Sequence, residues 1–182
     1  MRERICIVPQ VHGTGGMVTF RQKLEDGLRQ RRIAFCNDLH EEPCDAVLVI
    51  SGTRDLAGLR RARRRGVRIV QRLNGINWIH RRIYTGARHF LRAELNNWII
   101  ATIRRDLADG IVYQSRFVKE WWEGCFGDLG KSSIIIHNGI DLSLYKPEGP
   151  GELPADRFRL LLVEGRLGGG YHMGLENAIE LT

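Results

Sequence analysis

Hydrophobic residues along this chain fall into short continuous runs separated by longer stretches with helical spacing. Arg4–Gln10 (RICIVPQ) predicts a buried strand, followed by a loop over Val11–Gly16 that holds three glycines. From Met17 to Arg31, Met17, Phe20, Leu24 and Leu28 share one face of a predicted helix. Strands are predicted at Ile33–Cys36, Asp45–Ser51 and Val67–Leu73, with a helix over Arg54–Arg65 between the last two. Trp78–Leu107 reads as mostly helical with a break near Gly86. A strand at Gly110–Gln114, a helix at Phe117–Phe126 and a strand at Ser132–His137 follow. Strands that are apolar throughout and alternate with helices are buried on both faces, which is the pattern of a parallel sheet. The expectation is an α/β fold with a doubly wound parallel sheet, complete within residues 1–145.

The pattern then changes. Residues 146–156 (KPEGPGELPAD) hold three of the five prolines and read as a linker. Within 157–182, Arg157–Val163 predicts a strand and Met173–Leu181 a helix. One strand and one helix cannot bury their own apolar faces, so this stretch reads as the opening of a second, truncated domain.

Composition narrows the class. A chain of 182 residues, 43% hydrophobic and 27% charged, suits one globular domain rather than a disordered chain. No apolar run approaches the length of a membrane span, and the run before Pro9 is too short for a signal peptide. Cys6, Cys36, Cys44 and Cys125 show no C-x-x-C spacing; they are expected to be reduced thiols of a cytoplasmic protein, mostly serving as small hydrophobes. The six histidines lack ligand spacing, and no metal is expected. The net charge of +7, with Arg supplying 24 of the 28 cations, favours an anionic partner without choosing among nucleotide, lipid and nucleic acid.

Three stretches are candidates for chemistry. Gly13-Thr14-Gly15-Gly16 lies between the first strand and its helix, where unpaired N–H groups face anions. The dinucleotide fingerprint fails because Val18 occupies the third glycine position, and no Lys follows to make a P-loop. A plain tight turn accounts for such a loop equally well. Gly165-Arg166-Leu167-Gly168-Gly169-Gly170 combines a glycine-rich loop with a cation after an apolar strand, as a diphosphate cradle or a flexible connection would. His137-Asn138-Gly139-Ile140-Asp141, with Tyr145 and Pro147 beyond, ends the last strand beside the predicted linker.

Taken in order, these motifs resemble the retaining nucleotide-sugar glycosyltransferases of the GT-B fold, family-four type. The residues that carry the resemblance are Gly15-Gly16, Tyr113-Gln114-Ser115, Ile136–Asp141 with Tyr145 and Pro147, and Val163-Glu164-Gly165-Arg166-Leu167. The resemblance covers essentially the whole chain. It implies an N-terminal acceptor domain facing a domain that holds a nucleoside diphosphate sugar. The activity implied is transfer of a hexose to an acceptor hydroxyl with retention and without a metal. Arg166 would contact the donor diphosphate, and Gly15 and Gly16 would approach it from the opposite domain. Arg72, Asn74, Ser115, Asn138, Gly139 and Asp141 are the candidates for acceptor or cleft contacts. The acceptor would be a glycan, a lipid-linked sugar or a small molecule.

The sequence departs from the family in three places. No Lys follows Arg166 within Gly168–Met173. Gln71-Arg72-Leu73-Asn74-Gly75 stands where many members carry a His. The family's paired glutamates and nucleobase pocket belong beyond Thr182, so this chain alone is not expected to catalyse transfer.

Two basic segments bear on partners. Arg60–Arg65 at a helix end reads as a solvated face. Ile76–Arg105 interleaves Trp78, Phe90, Leu91 and Trp98 with Arg81, Arg82, Arg88 and Arg92, as an interfacial helix on the inner face of a membrane or a packed helix with a basic outer side would. Trp121-Trp122 is expected to pack one side of its helix. Two other functions compete: a truncated paralogue that binds a sugar or partner without catalysis, and a basic nucleic-acid-binding module, which is disfavoured because no recognition motif appears.

Overall fold

In a computed structural model, residues 4–13, 15–41, 43–143, 145–146 and 173–181 are described. Six strands form one parallel sheet: β1 (Arg4–Val8), β2 (Ala34–Cys36), β3 (Ala46–Ile50), β4 (Arg68–Leu73), β5 (Gly110–Tyr113) and β6 (Ser133–Ile135). The helices are α1 (Gly16–Gln30), α2 (Leu56–Arg64), α3 (Ala87–Thr102), α4 (Arg116–Phe126) and α5 (Met173–Glu180). The strand order is β2-β1-β3-β4-β5-β6, and every neighbouring pair is parallel. This is a Rossmann-like, doubly wound α/β fold.

The alternation of side chains along each strand assigns the helices to faces. Ile5 and Ile7 of β1, with Leu48 and Ile50 of β3, pack with Met17, Phe20 and Leu24 of α1. The intervening Cys6, Val8, Val47 and Val49 pack with Leu59 and Ala62 of α2 and Ile99 of α3. Farther along that second face, Leu73, Ile111 and Tyr113 meet Ile100 of α3 and Val118 and Trp122 of α4. Thus α1 crosses one face and α2, α3 and α4 the other, as right-handed crossovers require when the chain moves first one way from β1 and then the other.

Local chemistry sets the helix limits. Asp55 caps α2 by accepting from the Gly58 N–H at 2.7 Å, and Ser115 caps α4 by accepting from Val118 N–H at 3.2 Å. Gly127 ends α4 at φ 76°. The region expected to be mostly helical is a 3-10 turn at Ile79–Arg81, then α3, whose end widens to π geometry over Ile103–Leu107. There Ala108 N–H bonds the Ile103 carbonyl five residues back, at 2.8 Å. Lys131 Nζ gathers the last carbonyls, donating to Arg104, Arg105 and Ala108 at 2.7–2.9 Å.

β1 stops at Val8, two residues short of the expected end, because Pro9 has no N–H for a ladder. The predicted strand Arg157–Val163, the linker core and Arg166 lie outside the described residues. The chain divides into two units, residues 1–138 and 139–182. Among the described residues, no helix is long and apolar enough to cross a membrane.

Candidate functional site

The strand order reverses between β1 and β3, because the chain leaves β1 for β2 on one side and returns to β3 on the other. Ligands in open parallel sheets bind beyond the carboxyl ends of strands at such a switch point. A cavity of about 560 Å³ opens there. Pro9 after β1, Met17 of α1, the segment Ser51–Asp55 after β3, Asn74 and Gly75 after β4, and Asn96 of α3 line it.

The walls are fixed by buried hydrogen bonds. Ser51 adopts φ 63°, a left-handed conformation that costs free energy for a residue with a Cβ. It is held because its N–H donates to the Arg72 carbonyl at 2.8 Å and its carbonyl accepts from Gln71 Nε2 at 2.7 Å. The same Gln71 Nε2 reaches the Ile100 carbonyl at 3.1 Å, tying β3 and β4 to α3. Gly52 is required by close approach: a Cβ there would stand 2.8 Å from Ile100 Cγ1. Asn97, 2% exposed, clamps Asn77 twice, accepting from its N–H at 3.1 Å and donating to its carbonyl at 2.8 Å.

Asn74 has two distinct parts. Its carbonyl accepts from the indole N–H of the fully buried Trp122 at 2.7 Å. Its side-chain Oδ1 is buried and has no hydrogen-bond partner among the described residues. A buried acceptor of this kind is costly unless a donor reaches it.

Gly15 stands at the N-cap of α1 with φ 127°, and Gly16 opens the helix. Among the described residues no side chain caps this terminus, and its first turn carries no acidic residue. A Cβ at either glycine would meet nothing within 4 Å, so it is the backbone angle, not crowding, that calls for glycine at position 15.

Arg72 lies on the other face of β4 and is 4% exposed. Its guanidinium sits 3.6 Å from the centre of the Phe20 ring, and Nη2 donates to Asn138 Oδ1 at 2.5 Å and Gln114 Oε1 at 3.2 Å. Burial pushes this guanidinium below its ordinary range.

The fold thus brings Arg72 and Asn138 together and places Asn74 in the wall of the cavity. Ser115 uses its hydroxyl to cap α4. Gly139 is exposed with open space around its Cα, and Asp141 Oδ1 closes a turn by accepting from the N–H and hydroxyl of Ser143 at 2.9 and 2.6 Å. Sequence reasoning passed over the Ser51–Asp55 wall, the Asn96-Asn97 pair and Phe20. The signal available was two consecutive asparagines inside a helix, where their propensity is poor.

Beside the cavity-lining Asn77, His80 is buried and lies 2.6 Å from Glu94 Oε1, which also accepts from Arg81 Nε at 2.6 Å. Hydrogen bonds from Arg81 and His80 hold the Glu94 carboxyl down to about 2. On the outer side of α3, Leu91, Leu95 and Trp98 recur one turn apart and remain 69%, 49% and 57% exposed. Among the described residues, no group of three His, Cys, Asp or Glu side chains is placed to hold a metal ion.

This geometry defines a Rossmann-like α/β protein with a cavity of mixed polar and apolar lining at the topological switch point. No family model matches the sequence, and no curated protein matches it closely enough to name a relative.

Proposed function

We propose that this chain is the acceptor-side half of a GT-B, family-four-type glycosyltransferase. In its complete form the enzyme transfers a hexose from a nucleoside diphosphate sugar to an acceptor hydroxyl with retention. The observation that carries this reading is the cavity of about 560 Å³ whose wall includes Asn74, with its buried, unsatisfied Oδ1. A sugar is a polyol with apolar ring faces. Ser51, Thr53, Asn74, Asn77 and Asn96 offer hydrogen bonds while Met17, Ile99 and Ile100 offer apolar surface. A sugar hydroxyl would satisfy Asn74 Oδ1 if the side chain turned that oxygen into the cavity.

On this reading the open N-terminus of α1 at Gly15 and Gly16 turns its N–H groups toward the donor diphosphate. The chemistry needs no resident cofactor or metal, because helix N–H groups and Arg stabilise the charge that develops on the leaving diphosphate. The exposed Leu91, Leu95 and Trp98 stripe, on a helix that also carries exposed Arg88 and Arg92, supports peripheral attachment to an anionic membrane. Lipid-linked acceptors would then be within reach.

The test is protein-observed NMR with a panel of neutral mono- and oligosaccharides. At least one saccharide should shift the amides of Thr53, Asn74 and Gly75 saturably, and glycerol at matched hydroxyl concentration should not. If no saccharide does so, or glycerol acts equally, the reading fails.

A further inference from the structure

Three guanidinium groups are buried among the described residues, and they differ in what neutralises them. Arg21 pairs with Glu25 at 2.7 Å and also reaches the Pro9 carbonyl and Asn37 Oδ1. Arg104 donates at 2.8 Å to the carbonyl of Gly127, at the negative end of α4, and to the Tyr113 hydroxyl. Arg72 has neither kind of partner. Among the described residues it makes no ion pair, and both its hydrogen bonds leave from Nη2 toward neutral amide oxygens.

That arrangement is unbalanced. Arginine keeps its proton even when buried, so the positive charge persists. Removing a charge from water is costly, and two amide oxygens with one aromatic face return only part of that cost. Arg72 also sits at the carboxyl end of β4, on the edge of the sheet where α1 and α4 begin, so the nearby helix ends are positive. Those helix ends add no negative charge.

Arg72 itself is buried, but the groups that cover it extend to the surface. Asn138 is exposed, and Gln114 and Phe20 are half-buried. Nε and Nη1 make no hydrogen bond to the described residues, and each shares a donor edge of the planar fork with Nη2, so one Nη2 hydrogen must be released before the two oxygens of an oxyanion can be gripped. Displacing the exposed Asn138 carboxamide would release one Nη2 hydrogen to an entering anion.

We infer that Arg72, with Gln114 and Asn138, forms an oxyanion subsite that takes a phosphate or carboxylate group carried by the acceptor. The assignment to an acceptor rests on the glycosyltransferase reading; the anion site itself does not. It narrows the acceptor class to sugars or lipid-linked sugars bearing an anionic group, such as hexose phosphates or uronates.

The test is titration of the full chain with inorganic phosphate and, separately, with glucuronate, following the side-chain Nε–Hε resonance of Arg72 by NMR. Asn138→Asp places a carboxylate against the guanidinium without disturbing the core. It should raise the melting temperature and weaken anion binding by about tenfold or more. Arg72→Gln should abolish the binding. If that variant does not fold, Asn138→Asp alone decides. Saturable binding that Asn138→Asp removes supports the site, and the tighter of the two probes names the group. The inference falls if neither probe moves the Arg72 resonance, or if Asn138→Asp leaves affinity unchanged. The two readings fail separately: anion binding at Arg72 with no saccharide in the cavity overturns the glycosyltransferase reading alone, and saccharide binding without anion binding overturns the subsite alone.

Discussion

Replacing Trp122 by Phe tests whether α4 holds the loop after β4 in place. Trp122 is fully buried, stacks on Phe126 with ring centres 5.1 Å apart, and donates its indole N–H to the Asn74 carbonyl at 2.7 Å. Phe keeps the apolar contact but removes the donor and part of the ring. An unpaired buried carbonyl and a partial cavity together cost about 2–4 kcal/mol. For a chain of this length that is a fall in melting temperature of about 5–15 °C. Trp121 provides the control. Its half-buried ring approaches Gly75, where an added Cβ would lie 3.1 Å from Cζ3, but it makes no hydrogen bond among the described residues. Trp121→Phe should cost about 1 kcal/mol or less. Urea unfolding at constant m-value measures both, and amide exchange at Gly75 reports the loop directly. Should the two variants prove equally destabilising, or Gly75 exchange stay unchanged in Trp122→Phe, the indole bond is not what positions this wall of the cavity.

Other outcomes follow from single interactions. The Glu94 carboxyl is held down to about 2 from an ordinary 4.5, so its contribution is fully present above pH 4.5 and lost as pH falls toward 2; Glu94→Gln should flatten stability over that window in pH-dependent urea melts. Ser115→Ala removes the α4 cap and should cost about 1 kcal/mol in the same unfolding assay, with Ser115→Asn or Ser115→Asp retaining most of it. Vesicles rich in anionic lipid should sediment the chain at low salt, and Leu91→Glu with Trp98→Glu should release it; equal retention of the double variant, or no retention of the parent, would remove the membrane contact from the proposal.

The sheet was readable because its strands are buried on both faces. Asp45–Ser51 shows no polar interruption, and β3 occupies its centre with Val49 and Ile50 fully buried. The face assignment was less readable, since period-two alternation disappears when both sides are apolar. Asn138 could be marked as a candidate from the end of its strand, but its contact with Arg72 spans 66 residues and depends on β4, β5 and β6 lying in register. The burial of Arg72 was equally hidden. Arg72 could be marked as a cleft candidate, but its cover comes from Phe20 on α1 and from Gln114 and Asn138, all distant in sequence. In Ile76–Arg105 the mixture of aromatics and arginines left packing and exposure indistinguishable. The fold resolves this residue by residue, burying Ile99 and Ile100 and leaving Leu91, Leu95 and Trp98 outside.

The carboxyl end of β4 is where these features meet. Gln71 and Arg72 are consecutive, so their side chains leave on opposite faces of the sheet. Gln71 ties the Ser51 and Ile100 carbonyls on the α3 side, and the Arg72 carbonyl holds Ser51 N–H in its left-handed conformation. The Arg72 side chain turns to Phe20, Gln114 and Asn138 on the α1 side. Two residues later the Asn74 carbonyl is pinned by Trp122. A shift of this one strand end by even a fraction of an ångström would therefore loosen both the cavity wall and the cation. An apolar residue at position 71 would leave the Ser51 and Ile100 carbonyls without this donor, and one at position 72 would remove the buried cation over Phe20, so the two faces of one strand end depend on consecutive polar side chains.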